Sequence, residues 1–539
     1  MESFGLYYHT IRNLTFRQIF YQVFYRLKAI FVKSVTIYRG SPKTQSLKLI
    51  QSIPSRHAYL GDHEFMFLNL QKEFGHRIDW NYSGNKKLWA YNLNYFDFLH
   101  QEKISSQEAI NLLDSYCHES GQLREGVEPY PISIRGVNWI KFFAYKSIAN
   151  AGYDSLLYSH YRHLFSNLEY HILGNHLLEN AFSLLFGAYY FKDEQFYLRS
   201  RRLLIAELNE QILFDGAHFE LSTMYHQIIL FRLLDCVNLV KCNPWKNDNL
   251  LALLEGSSRR MMGWLKSMTF SNGDVPMVND ATNGIAPTSY ELFHYGQRLG
   301  IDPEVIPLEN SGYRMIREGN YELLVDVGNL GPDYILGHAH SDTLNFIMYH
   351  QGKPIVVEAG TSTYNPGSRR DEERSTASHN TVVINDQNQS AIWAGFRVGR
   401  RAKITHLEES MNFISAMHDG YKPMGITHRR TWQWAANEIV IEDELMGVKA
   451  GTLAVASIHL HPDYVPRIDS GVITMGPVKV YCTTVGATME DYFYSSGFNS
   501  VQKGYVIRIS FEDRLSLRFA FESANVISDT AMKSKNEPL

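Results

Sequence analysis

Four short stretches of this sequence carry side chains able to move protons or hold a metal. The first, Asn175-His176-Leu177-Leu178-Glu179-Asn180, gathers an amide, an imidazole and a carboxylate. If a helix starts at Asn175, His176 and Glu179 are i, i+3 neighbours and Asn175 and Glu179 are i, i+4 neighbours. The plainer reading is a capped helix with a solvated face. The second stretch, Asp215 to His226, brings Glu220, Tyr225 and His226 into an otherwise apolar helix. A tyrosine buried there needs a partner for its hydroxyl, and simple core packing is the competing reading. The third, Gly337-His338-Ala339-His340-Ser341-Asp342, puts two histidines on one side of an extended backbone. That spacing suits one metal ligand and one histidine free for proton transfer, although surface histidines are commoner. The fourth runs from Glu358 through Arg374 to His379. His340, Glu358 and His379 together offer the imidazole and carboxylate donors that zinc accepts.

The elements that position these groups fall into two textures. In Asn175–Phe191, Leu178, Ala181, Phe182, Leu185, Phe186 and Tyr189 follow the i, i+3, i+4, i+7 pattern of a helix with one buried face. Thr223–Val240 is apolar on nearly every side and predicts a deeply buried helix. Helices are also expected over Ser106–Cys117, Trp139–Ala151, Asp193–Leu213 and Leu250–Met268. Hairpin-connected helices in series suggest an α/α toroid, an incomplete α/α barrel. After Gly312 the chain turns to short runs of β-branched and aromatic residues, among them Glu322–Val327, Leu344–Tyr349, Thr381–Ile384, Glu438–Asp443, Leu453–Leu460, Tyr505–Phe511 and Ser516–Phe521. These predict a large antiparallel β-sandwich. The expected organisation is multidomain α+β: a helical extension over 1–40, the toroid over 41–310, the sandwich over 311–527 and a polar tail over 528–539.

Composition excludes several classes. The 539 residues are 45% hydrophobic and 20% charged, which rules out a disordered chain, a collagen and a coiled coil. Lys and Arg number 52 against 56 Asp and Glu, too even a balance for a protein whose main partner is duplex nucleic acid. Aromatic residues at 13% fill cores and also stack on sugar rings. Four cysteines with no CxxC pair argue against a disulfide framework and a thiolate zinc site. No run of eighteen apolar residues predicts a transmembrane helix. No basic n-region followed by an apolar h-region predicts a secretory signal. Phe20–Phe31 is apolar-aromatic but broken by Arg26 and Lys28. It is expected to pack on the body, with a membrane surface as the alternative.

Taken in order, these stretches resemble the heparinase II/III-like polysaccharide lyase superfamily, which includes alginate lyases. The resemblance runs from Leu88-Trp89-Ala90-Tyr91-Asn92-Leu93-Asn94-Tyr95-Phe96-Asp97 through Arg135-Gly136-Val137-Asn138-Trp139 and the Asn175–Asn180 helix. It continues to His340-Ser341-Asp342 and Ser378-His379-Asn380-Thr381, covering most of the chain. It implies an α/α toroid joined to an antiparallel β-sandwich, and cleavage of a uronic-acid polysaccharide by β-elimination. It implies catalytic roles for Asn175, His176, Tyr225 and His338, with Glu179 beside His176, and a structural Zn2+ held by His340, Glu358 and His379. Glu358 stands where the family commonly has Asp. Arg135, Asn138, Trp139, Glu220 and Arg374 are the substrate-binding candidates. Arg369, Arg370, Arg397, Arg400 and Arg401 are further cations able to meet an acidic polymer. By the same resemblance the protein is expected in the periplasm or cell envelope; the N-terminus itself points to the cytoplasm or a membrane periphery.

The implied chemistry explains the residue types. A C5 proton lies α to a carboxylate, so its removal requires that carboxylate to be neutralised and the enolate-like intermediate stabilised. Asn175 and His176 can donate to that charge. A base must take the proton and an acid must protonate the departing O4. An ordinary Tyr has a pKa of about 10, which suits Tyr225 as acid and His338 as base; Tyr225 serving as both is the alternative. Two other functions compete. A glycoside hydrolase on the same toroid needs two carboxylates across the bond, for which Asp215, Glu220 and Asp280 are available. A non-catalytic accessory protein of capsule or exopolysaccharide production would keep the fold without needing the proton-transfer set.

Overall fold

The computed structural model describes residues 2–31, 38, 40–483 and 486–521. The expected polar tail, 528–539, lies outside the described residues. Among the described residues, eleven α-helices come before the strand-rich half: α1 (Glu2–Ile11), α2 (Phe16–Phe31), α3 (Lys86–Tyr95), α4 (Ser106–Glu119), α5 (Pro129–Lys146), α6 (Ala151–Ser166), α7 (Gly174–Phe191), α8 (Glu194–Gln211), α9 (Thr223–Cys242), α10 (Leu250–Met268) and α11 (Ser289–Arg298). Successive helices pack together, α5 with α6, α6 with α7, α7 with α8 and α9 with α10, and α7 also contacts both α5 and α9. The helices form an open toroid and do not close a barrel. Local chemistry sets their ends. Ser105 and Glu108 form a capping box at α4, as do Thr288 and Glu291 at α11. Asp193 caps α8 through the Gln195 and Phe196 amides.

One sequence expectation needs correction here. The helix expected over Trp139–Ala151 runs over Pro129–Lys146, because Pro129 occupies its first turn, where a missing N–H costs nothing. It stops at Ser147, which is left-handed with φ 52°. A small antiparallel sheet of Tyr59–Gly61, Glu64–Phe67 and Leu70–Glu73 also precedes α3. It was not anticipated; Phe65 and Phe67 plug it into the toroid core.

From Tyr313 onward the sheets are antiparallel throughout. One layer is an eight-stranded sheet that includes Phe413–His418, Thr427–Ala435, Glu438–Met446 and Arg514–Phe521 as consecutive or adjacent strands. The facing layer joins two four-stranded sheets through a bridge between Val356 and Leu460. Alternation drives the layering: along Glu438–Met446, Ile439, Ile441, Asp443 and Leu445 point inward and the residues between them do not. A separate cluster bonds toroid to sandwich. Trp264, Met268 and Phe270 from the end of α10 pack on Tyr313, Leu324, Ile347 and Tyr349 of the sandwich. The Phe270 and Tyr349 rings stack at 3.8 Å. Burying several large rings at this seam fixes the two domains against each other.

Candidate active site

The site forms where the start of α9 meets two loops of the sandwich. Leu221 adopts φ 56° and Ser222 caps α9. The Ser222 hydroxyl donates to the Asp280 carbonyl at 3.1 Å, which ties the helix start to the Asn279-Asp280 turn. Asn279 clamps that turn in place: its side-chain amide donates to the Leu221 carbonyl at 3.0 Å, and its oxygen accepts from the His340 N–H at 3.0 Å. The Asp280 N–H donates to the His338 carbonyl at 3.1 Å.

Asp280 is the hub. Its carboxylate takes His338 Nδ1 at 2.9 Å on Oδ2 and His340 Nε2 at 2.9 Å on Oδ1. The Arg370 guanidinium closes on both oxygens, with Nη2 2.6 Å from Oδ2. Asp280 and Arg370 are wholly buried. Burial alone would raise the Asp280 pKa, but Arg370 and the two histidines outweigh it and hold the carboxyl well below its usual range. His340 is pushed down to about 3, chiefly by burial, and is neutral. His338 is partly exposed and its Nε2 lies 3.6 Å from Glu220.

Tyr225 and His226 separate at the first turn of α9. His226 turns into the core, its Nε2–H donating to the Met261 carbonyl at 3.0 Å while Nδ1 accepts from the His218 N–H, and its ring lies 4.4 Å from that of Trp264. Tyr225 turns to the site. Its ring lies 4.0 Å from the His338 ring, and its hydroxyl is 3.2 Å from that of Tyr364. Burial, with Tyr364 and nearby carboxylates, raises the Tyr225 pKa well above 10, so the phenol keeps its proton at neutral pH.

α7 supplies the other wall. Its first residue, Gly174, has φ 54°, and a Cβ there would stand 2.4 Å from Glu220 Oε1. The bare glycine lets Glu220 accept from the Asn175 N–H at 2.9 Å and from its side-chain amide at 2.9 and 3.1 Å. Asn175 Oδ1 is buried and unpartnered. His176 Nδ1 is 3.0 Å from Glu169, and its ring lies 4.4 Å from Tyr130. Burial lowers the His176 pKa, but Glu169 outweighs it and the net shift is upward. Glu179 is buried, not on a solvated face. Its carboxylate makes no hydrogen bond, faces Arg232 at 3.4 Å, and is pushed up to about 7, mostly by burial. The result is a run of partly exposed rings (Tyr130, His176, Tyr225, His338, Tyr364) backed by the buried carboxylates Glu169, Glu220 and Asp280.

The three zinc candidates are neighbours. The His340 and His379 rings are 5.2 Å apart, and His340 Nδ1 and His379 Nε2 are buried without partners. Two orphaned imidazole nitrogens suit a zinc ion. Glu358, however, is bonded to His379 Nδ1 and to the Asn345 amide. Among the described residues no three such groups converge on a point a metal could occupy. In this geometry Glu358 orients His379 from behind, the position of a carboxylate that supports a ligand.

Other candidates sit elsewhere. Arg135 is fully buried in the toroid core, where it donates to the Asn94 and Gly126 carbonyls at 2.9 and 3.0 Å and covers the Tyr116 ring. Asn138 ties Tyr95 O and Asp97 together, and Trp139 packs among Phe96, Tyr116 and Phe143. These three hold the helices and do not face the site. Arg374 is buried and donates to the Ala339 carbonyl, shaping the loop between the two histidines. Asp215 accepts from the Ser311 and Glu309 amides as a loop clamp. Arg369, Arg400 and Arg401 bond to Glu373, to Gln389 and Gly420 carbonyls, and to Asp333. The sequence reading missed Tyr364, Glu169 and Tyr130, and weighed Asp280 and Arg370 for other roles. Only the sequence Val278-Asn279-Asp280, a buried-type residue followed by two turn formers, could have flagged the hub.

The comparisons with known proteins agree with this architecture. The profile of the heparinase II/III N-terminus matches residues 139–295, and that of the heparinase II/III-like C-terminal domain matches residues 300–517. A heparin-sulfate lyase of Bacteroides stercoris is 24% identical over 320 residues, 54% of this chain and 46% of that protein. The chain thus matches less than half the length of that relative. Among solved structures, heparinase III superposes with a TM-score of 0.65 at 16% identity, covering 91% of this chain and 89% of the other. The heparan sulfate lyase HepC of Pedobacter heparinus superposes with a TM-score of 0.55 at 16% identity, covering 86% and 82%. These likenesses carry the toroid-plus-sandwich fold. With both halves matched in chain order, the chain belongs to the heparinase II/III-like polysaccharide lyase superfamily.

Proposed function

We propose that the protein is a polysaccharide lyase that cleaves a uronic-acid-containing acidic polysaccharide by β-elimination, leaving an unsaturated uronate end. The observation that carries this reading is the Asp280–His338–Tyr225 arrangement. Asp280 accepts from Nδ1 of His338, so the proton sits on Nδ1 and Nε2, 3.6 Å from Glu220, keeps a free lone pair. That nitrogen takes the C5 proton. Tyr225, its ring tilted against that of His338 and its phenol kept protonated, gives its proton to O4. His176, partly exposed and made more basic by Glu169, pairs with the uronate carboxylate. Asn175 directs its amide at Glu220 rather than outward, so it acts by fixing the α7 start beside His176. Bound at His340 and His379, Zn2+ would anchor the loop that carries His338.

The carboxylates argue against a hydrolase. A general acid must hold a proton near neutrality, yet of the hydrolase candidates Asp280 is locked by Arg370 and Glu220 is held below its ordinary range, since His218, His338 and Asn175 outweigh burial; Glu179, which does hold a proton there, is buried against Arg232. The test is ultraviolet absorbance of the full chain with a panel of uronic-acid polysaccharides. A rising signal from the C4–C5 double bond, lost in Tyr225→Phe and His338→Ala, is expected. New reducing ends without that chromophore would overturn the lyase reading in favour of hydrolysis. Binding without cleavage would favour the accessory role.

A further inference from the structure

The N-terminal helices are anchored to the body by one side and leave the other side bare. From α2, Gln18 donates to the Ile172 and Tyr334 carbonyls at 3.5 and 3.1 Å, and the Tyr25 hydroxyl donates to Leu168 O. The Tyr21 ring lies 4.6 Å from Tyr170. α1 seats on the sandwich, with Tyr7 4.8 Å from Trp393 and the Trp393 indole N–H donating to Thr10 at 3.2 Å. The pair therefore straps the toroid to the sandwich.

The outer side of α2 has a different character. Phe16, Ile19, Phe20, Val23, Phe24 and Leu27 recur at i, i+3, i+4, i+7, i+8 and i+11, which is one stripe of a helix. Phe16 is 83% exposed and the others lie between 41% and 55%. The Phe16, Phe20 and Phe24 rings line up along the stripe at 6.3 and 6.2 Å spacings. Tyr8 and Ile11 of α1 are exposed as well. A contiguous apolar surface of this kind marks a contact face. Its charge says what kind. Arg26 borders the stripe on one edge and exposed Arg12 stands just before α2, while Arg17 and Lys28 on the other edge are held by the body, at Glu207 and at Ser166 O and Asn167. The sequence has no Asp or Glu between Glu2 and Asp62, in a chain whose net charge is −4.

We propose that this face lies in the interfacial layer of an anionic bilayer, with the stripe in the headgroup–acyl boundary and Arg12 and Arg26 on lipid phosphates. Among the described residues no helix is long and apolar enough to cross a membrane, so the attachment is peripheral. A second copy is the poorer occupant, because a two-fold contact would set one cationic rim against another. The strap also sits beside the site: Gln18 holds Ile172, two residues before Gly174. The assignment does not depend on the reaction proposed above.

The test is co-sedimentation of the full chain with vesicles of phosphatidylglycerol and phosphatidylcholine, and with phosphatidylcholine alone. Wild type is expected to pellet with the anionic vesicles, and less so as salt rises. Phe20→Ser/Phe24→Ser/Leu27→Ser should lose at least about tenfold in binding, and Arg12→Gln/Arg26→Gln should lose it on anionic vesicles. An unchanged melting temperature shows that the inner contacts of α2 survive. Wild type remaining in the supernatant, or binding undiminished by the apolar substitutions, overturns the proposal. Equal binding to both lipid compositions overturns its anionic part. A wild-type dimer by sedimentation velocity, made monomeric by the serine variant and blind to vesicles, gives the face to a second copy and overturns it too.

Discussion

Asp280→Asn removes one charge from the centre of the site and should separate stability from catalysis. Asp280 accepts from His338, His340 and both terminal nitrogens of Arg370. Asparagine keeps one acceptor and presents an NH2 to groups that are themselves donors. It also leaves the Arg370 charge, wholly buried, without its counter-ion. Breaking a buried pair from one side costs about 3–5 kcal/mol. At about 2–4 °C per kcal/mol for a domain of about 200 residues, the melting midpoint should fall by roughly 6–20 °C. Activity should fall by about 10²–10⁴, since His338 loses the partner that keeps its Nε2 free to accept. The double variant Asp280→Asn/Arg370→Met discriminates further. It removes the stranded cation, so it should regain much of the lost stability and none of the activity. Thermal melting by circular dichroism and the unsaturated-uronate absorbance read the two effects. A midpoint within about 2 °C of wild type, or activity restored in the double variant, would refute the reasoning.

Other outcomes follow from the same geometry. Glu179 is held near pH 7 against an ordinary 4.5, so the folded protein binds the extra proton between those values and loses stability as pH rises through them. Glu179→Gln should flatten that slope, worth on the order of 3 kcal/mol above pH 7; melting curves of both proteins at pH 5 and pH 8 that stay parallel would contradict it. Arg135→Met should lower the melting midpoint and leave KM unchanged, because Arg135 binds Asn94 and Gly126 inside the toroid; a raised KM at unchanged midpoint would return it to the substrate. Chelation of protein grown with zinc should lower the midpoint, and His379→Ala should abolish that difference. Equal midpoints with and without chelator in wild type would remove the metal from the account.

Some of the fold was hidden from the sequence for identifiable reasons. The strand Thr427–Ala435 reads poorly because its inward positions include His428 and Arg430. They are tolerated there only because Asp443, on the next strand, accepts from both at 2.7 and 2.8 Å. The strand Ile404–Ser410 is a mostly exposed edge, so it lacks the alternation that marks a half-buried strand. Arg135 and Asn138 look like groups for an acidic ligand, as charged and amide side chains usually face water. Gly126, with φ 66° and no room for a Cβ against Asn94, brings a turn close enough for its carbonyl to occupy Arg135 instead.

What the sequence determined by itself was whatever depends on neighbours along the chain. The 3.6-residue and two-residue periodicities set helices and strands, and the i, i+2 spacing sent His338 and His340 to one side. The order of the short motifs marked the superfamily. What only the tertiary structure decided was partnership across distance. Asp280 stands 58 residues from His338 and 90 from Arg370, and Tyr364 stands 139 from Tyr225. Such pairs leave no periodic trace, because a side chain's protonation and direction follow from burial and from the nearest opposing charge, and both exist only once the sandwich has closed on the toroid.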